Sequence, residues 1–213
     1  MTVGGAIQKS ALLLAICGGA AYFSWGLGGA ATFPALIIGF ILCMVICFKP
    51  QTAPYLSPVY AAAEGVFLGT ISSLFEGQMH GIVLQALLLT SAVFCTMLGL
   101  YQTRIIRPSK MFFSVIVGAT GGICLTYLVS IVLGLFGIHL GFLYGNSSFA
   151  ILFSLIVCAV AAMNLIIDFA VIEQGAESGA PKYMEWYGAF GLLVTLVWLY
   201  LEVLRLLAKL RSR

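Results

Sequence analysis

YMEWYGAFGLLVTLVWLYLEVLRLLAKL, residues 183–210, is the stretch whose reading decides the fold. As one helix it would run about 42 Å at about 1.5 Å per residue, longer than a hydrocarbon core of about 30 Å. Within it, Leu199-Tyr200-Leu201-Glu202 sets a carboxylate among Leu, Val, Trp and Tyr. An acid held at that depth is costly, so it marks a pathway, a relay or a paired partner. The surplus length predicts that Tyr183 to Gly191, with glycines at 188 and 191, bends or lies partly at the interface. Glu202 then falls near the middle of the spanning portion.

The rest of the chain agrees with a membrane setting. Of 213 residues, 62% are hydrophobic and 8% charged, against about 25% charged in soluble domains. No ten-residue alternation of polar and apolar residues appears, which excludes a β-barrel reading. The expected fold is an all-α integral membrane protein, a seven-helix transmembrane bundle forming a single domain over 1–213. The apolar runs place helices at about 10–25, 33–48, 58–75, 82–101, 111–136 and 148–169, before the final run. Lys49-Pro50 ends the second, and Pro58 suits the first turn of the third. The polar decapeptide 173–182 is expected to link the sixth helix to the last.

Two pairs of glycines four residues apart, Gly65/Gly69 and Gly118/Gly122, predict seams of close helix packing. The six cysteines lie in or beside apolar runs without CxxC spacing, so neither a disulfide framework nor a zinc site is expected. Trp25, Trp186, Trp198, Tyr101 and Tyr183 read as belt or packing residues, and Glu173, Glu177 and Glu185 as interfacial or loop residues.

Lys9, Lys49, the cluster Arg104, Arg107 and Lys110, and Lys182 all fall on one side of a seven-helix topology. The opposite loops carry no Lys or Arg. The positive-inside rule therefore predicts a cytoplasmic N-terminus. Arg205, Lys209, Arg211 and Arg213 oppose it, because seven crossings place them outside.

Several segments resemble the Bax inhibitor-1 family of membrane proteins. Leu199-Tyr200-Leu201-Glu202, followed by Leu204, Leu206 and Leu207, is similar to that family's last helix, with Glu in place of the usual Asp. Asn164 to Asp168 resembles its acidic end of helix six. Lys49-Pro50, Gly65 with Gly69, and Thr103-Arg104 resemble bacterial members, as does the longer approach 180–191, so the bacterial inner membrane is the expected location.

The resemblance implies a pH-sensitive calcium leak governed by two carboxylates, with Asp168 and Glu202 at the matching positions and Lys49 as the candidate latch. Two carboxylates sharing a poorly solvated site cannot both ionise cheaply, and such a pair titrates together. Calcium takes six to eight oxygens, so as a bound or transported ion it would need more than Asp168 and Glu202. Carbonyls, water, Asn164 or Glu64 would complete the shell. The bland readings are a solvated helix-end acid for Asp168 and an i,i+3 ion pair with Arg205 for Glu202. Glu64 is balanced between cavity lining and helix packing.

The resemblance to bacterial members, together with the polar linker 173–182, also carries an alternative, a non-conducting modulator of a membrane-bound ATP-dependent protease or other membrane partner. The partners expected are the lipid bilayer, calcium and such a membrane protease, and no nucleic acid. Only His80 and His139 are present, both in outer loops, so zinc hydrolysis and serine–histidine chemistry have no basis. No enzyme and no required cofactor is expected.

Overall fold

The computed structural model describes residues 1–106, 108–137, 145 and 147–212. Arg107, His139 and Arg213, named above, lie outside the described residues. Among the described residues, seven helices are long and apolar enough to cross a membrane: α1 Val3–Ser24, α2 Thr32–Phe48, α3 Ala53–Gln78, α4 Ile82–Gln102, α5 Lys110–Leu135, α6 Ser148–Glu177 and α7 Met184–Arg211. Among the described residues there is no strand. Short 3-10 turns precede α2 and α3. Large apolar side chains stay bare on the outer faces, Phe23 at 84% and Phe33 at 73% exposure among them. Lipid tails are the solvent that such a surface matches.

Local chemistry moves several boundaries from those expected. Thr2 caps α1, its hydroxyl accepting the Gly5 N–H at 3.0 Å, so the helix starts seven residues earlier and Lys9 lies inside it. Pro54, not Pro58, occupies the first turn of α3, and Pro58 sits inside the helix. Ser109 caps α5 by accepting the Phe112 N–H at 3.1 Å. The Glu76 carboxylate accepts the N–H groups of Gly81 and Val83 at 2.5 and 3.1 Å, satisfying donors at the start of α4.

The segment expected to be a polar linker, 173–182, is helical through Glu177. α6 stops at Gly179, whose φ of +66° suits glycine, while Ala180 N–H reaches back to the Gly175 carbonyl at 2.9 Å. Only the turn 178–183 separates α6 from α7. Tyr183 to Gly191 also departs from expectation: from Met184 it is the opening of one unbroken helix, with Glu185, Gly188, Ala189 and Phe190 buried. Its surplus length is of the kind that helix tilt absorbs.

Backbone packing divides the chain into two compact units, Met1–Val83 with Asp168–Val197, and Leu84–Ile167 with Trp198–Arg213. The first unit is built on α3, against which both α1 and α2 pack. Gly65 and Gly69 make the α1 contact. A Cβ at 65 would overlap the Cys17 carbonyl oxygen and lie 2.7 Å from Ala20 Cβ; one at 69 would overlap Ser24 Oγ and the Ala21 carbonyl oxygen. This is the expected seam. The second expected seam is absent, since a Cβ at Gly118 or Gly122 meets nothing within 4 Å among the described residues. Thr32 donates to Thr70 at 2.9 Å, and Ser24 to the Val66 carbonyl at 3.3 Å, adding polar ties between helices.

Candidate functional site

In the first unit, Asp168 projects from α6 beside the start of α7. Its Oδ1 would lie 3.6 Å from a Cβ placed on Gly191, so a glycine faces the carboxylate. The Thr195 hydroxyl approaches it, and Oδ2 is buried without a hydrogen-bond partner. Native structures leave few buried polar atoms in that condition. Glu64, on α3 of the same unit, abuts Gly39 of α2, where a Cβ would come within 2.9 Å of its Oε1. The Tyr60 phenol approaches Glu64 from one turn earlier, and its ring stacks edge-on against Phe190 of α7, centroids 4.9 Å apart. Lys49 is exposed at the C-cap of α2.

A third acid of this unit is placed otherwise than expected. Glu185, read as interfacial, is 3% exposed and forms an ion pair with Lys9 of α1. It also accepts the Thr2 backbone N–H at 2.9 Å and the Thr2 hydroxyl at 3.2 Å. The Lys9 ammonium lies 5.6 Å from the centroid of the Trp186 ring, a cation–π placement. A Cβ on Gly5 would sit 2.5 Å from Glu185 Oε2, so the carboxylate occupies space that only glycine leaves.

In the second unit, Glu202 is 1% exposed and fully engaged. Tyr127 of α5 donates its hydroxyl to Oε1 at 2.7 Å, while Arg205 Nη1 reaches both carboxylate oxygens, at 3.0 and 3.3 Å. The same guanidinium nitrogen donates to the Tyr127 oxygen at 2.7 Å, and its carbon lies 5.1 Å from the Tyr127 ring centroid. Glu202, Arg205 and Tyr127 thus satisfy one another. One turn further on, Lys209 is buried and donates to Ser154 Oγ at 2.7 Å and to the Ala150 carbonyl at 3.3 Å. Asn164 gives its amide to Thr120 Oγ1 at 2.8 Å and to the Val160 carbonyl at 2.9 Å. The i,i+3 geometry of Glu202 with Arg205 was legible in sequence. Tyr127, Thr120 and Ser154 carried no signal beyond being hydroxyls in apolar helices.

A direct expectation follows for Tyr127→Phe. The substitution keeps the ring beside Arg205 but deletes the hydroxyl shared by acid and base. Thermal unfolding in detergent should show a loss of about 1–2 kcal/mol, the range of a hydrogen bond to a charged group. An unchanged midpoint would mean that the hydroxyl contributes nothing.

The model of the Bax inhibitor 1 like family covers residues 1–212. The chain belongs to that family. No curated protein matches it. As a Bax inhibitor 1 like membrane protein, it places its acids in two environments: Glu202 and Glu185 each hold a basic partner, whereas Asp168 sits against neutral groups. Among the described residues no three His, Cys, Asp or Glu side chains gather to hold a metal ion.

Proposed function

We propose that the protein is a pH-sensitive calcium leak of the membrane, with the N-terminus cytoplasmic and Asp168 as its principal titrating carboxylate. The observation that carries this reading is the buried, unpartnered Oδ2 of Asp168 within a spanning helix. A charge at that position costs much and has one polar neighbour. Calcium is the cargo. It would meet Asp168 in passing and draw its remaining oxygens from carbonyls and water.

Glu202 is the second acid of the reading, held in place by Arg205 and Tyr127. That arrangement also eases the topological conflict at the C-terminus. Arg205 and Lys209 are engaged with groups inside the second unit, which holds the last helix in place by its own bonds as well as by loop charge. The alternative, a modulator of a membrane protease, rested in part on a ten-residue polar linker; half of that segment is helix here, so the alternative draws less support.

Proteoliposomes loaded with a calcium dye test the proposal. Wild-type protein should pass calcium at a rate that varies with pH. Asp168→Asn, a permanently uncharged replacement, should hold the rate at the wild-type acidic-pH level throughout. A pH response that survives Asp168→Asn would remove Asp168 from the mechanism, and absence of any flux would end the leak reading.

A further inference from the structure

Glu64, Asp168, Glu185 and Glu202 divide by company. Glu185 is paired with Lys9, and Glu202 with Arg205. Among the described residues, Asp168 and Glu64 have neutral groups about them. Asp168 belongs to the proposed leak. Glu64 remains, and its surroundings are built for a carboxyl.

Gly39 is a buried glycine in the middle of an otherwise bulky helix, Phe33 to Phe48. Its missing side chain is the space into which the Glu64 carboxyl projects, for a Cβ there would stand 2.9 Å from Oε1 and 3.5 Å from Cδ. The Tyr60 phenol, from α3 itself, hydrogen-bonds the carboxyl, and the Cys17 thiol of α1 and Cys43 thiol of α2 lie within electrostatic reach of it. Cys47 neighbours Cys43 one turn on, and Tyr187 of α7 lies within electrostatic reach of both of these thiols. None of these groups is a base. Among the described residues, a carboxylate there has hydroxyl and thiol dipoles but no counter-charge, and the apolar helices α1 and α2 pack against the helix that carries it.

Keeping an isolated anion in a low-dielectric setting is expensive, so positive charge must come to it from solution. From this geometry we infer that Glu64 is a cation-accepting site of the three-helix cluster α1–α3, taking a proton or a small hard cation into the space left by Gly39. This site is separate from Glu202 and its Arg205 partner. It does not depend on the leak reading, because it concerns what binds at Glu64 and not what crosses the bilayer.

Dicyclohexylcarbodiimide, an apolar reagent that adds to protonated carboxyls, reads the site directly. The acid O–H adds across one C=N bond to give an O-acylisourea, which rearranges to an N-acylurea with no leaving group. Full-length protein in liposomes is labelled over a range of pH, with and without calcium, and the modified residues are mapped by mass spectrometry. Glu64 and Asp168 should carry label, and Glu185 and Glu202 should not. Label at Glu64 should fall as pH rises and be lost in Glu64→Gln.

If calcium leaves that label unchanged, the site takes a proton alone; if calcium suppresses it at constant pH, the same carboxyl also holds the metal cation. Both support the inference. No label at Glu64 under acidic conditions that label Asp168 overturns it, as does label at Glu64 no greater than at the ion-paired Glu185 and Glu202. Because mapping is done on the wild-type chain, the result stands even if a variant fails to fold. Calcium flux measured in the same liposomes separates the two readings: label without flux sinks the leak and leaves the site.

Discussion

Gly65→Ala should separate α1 from α3 and cost about 3 kcal/mol or more, the upper range for forcing atoms into a packed contact. The added Cβ meets the Cys17 carbonyl oxygen and the Ala20 Cβ, and the first of these is backbone that cannot rotate away. Relief requires the whole of α1 to move, which would also pull Ser24 from the Val66 carbonyl. Cys17 is buried at this seam and is a ready reporter. With the other five cysteines, Cys43, Cys47, Cys95, Cys124 and Cys158, changed to serine, thiol-dye uptake on heating should report Cys17 opening at a lower temperature in the variant. Gly118→Ala should not lower the same midpoint, since nothing among the described residues occupies the space its Cβ enters. Equal midpoints for both variants would mean that the α1–α3 seam is not a close-packed contact.

That contrast shows what a sequence can and cannot say about this protein. Gly65/Gly69 and Gly118/Gly122 have the same spacing, and either could meet a neighbouring helix or lipid. Spacing fixes which face the glycines share, but it does not tell which face is covered. The seven helices were legible because each is a long apolar run and the bilayer demands such runs. Their ends were less so, because caps such as Thr2 and the Gly179 stop depend on single hydrogen bonds beyond the hydropathy signal. Glu202 with Arg205 could be read because the partners are three residues apart on one helix. Lys9 with Glu185, Lys209 with Ser154, and Glu64 with Gly39 could not. Each joins two different helices, and in each the partner is an ordinary residue until the chain folds.

The pairing of Lys9 with Glu185 is the most consequential of these. It ties the first turns of α1 to the first turn of α7, and Glu185 also accepts the Thr2 N–H at the capped start of α1, where a negative charge is favoured by the helix dipole. Lys9→Met would leave that carboxylate buried with two neutral donors. The Lys9 side chain keeps 17% exposure, so water offsets part of the loss. An expected cost of about 2 kcal/mol follows, below the roughly 3–5 kcal/mol of breaking a fully dry pair.

Replacing both members, Lys9→Met with Glu185→Leu, should recover much of that loss, because no charge is then stranded. A double-mutant cycle on unfolding midpoints in detergent measures the coupling. A structural ion pair predicts that the double variant is more stable than Lys9→Met alone. If the two changes simply add, Glu185 draws its stability from Thr2 and the Gly5 cavity, and Gly5→Ala, whose Cβ would sit 2.5 Å from Oε2, becomes the more damaging substitution.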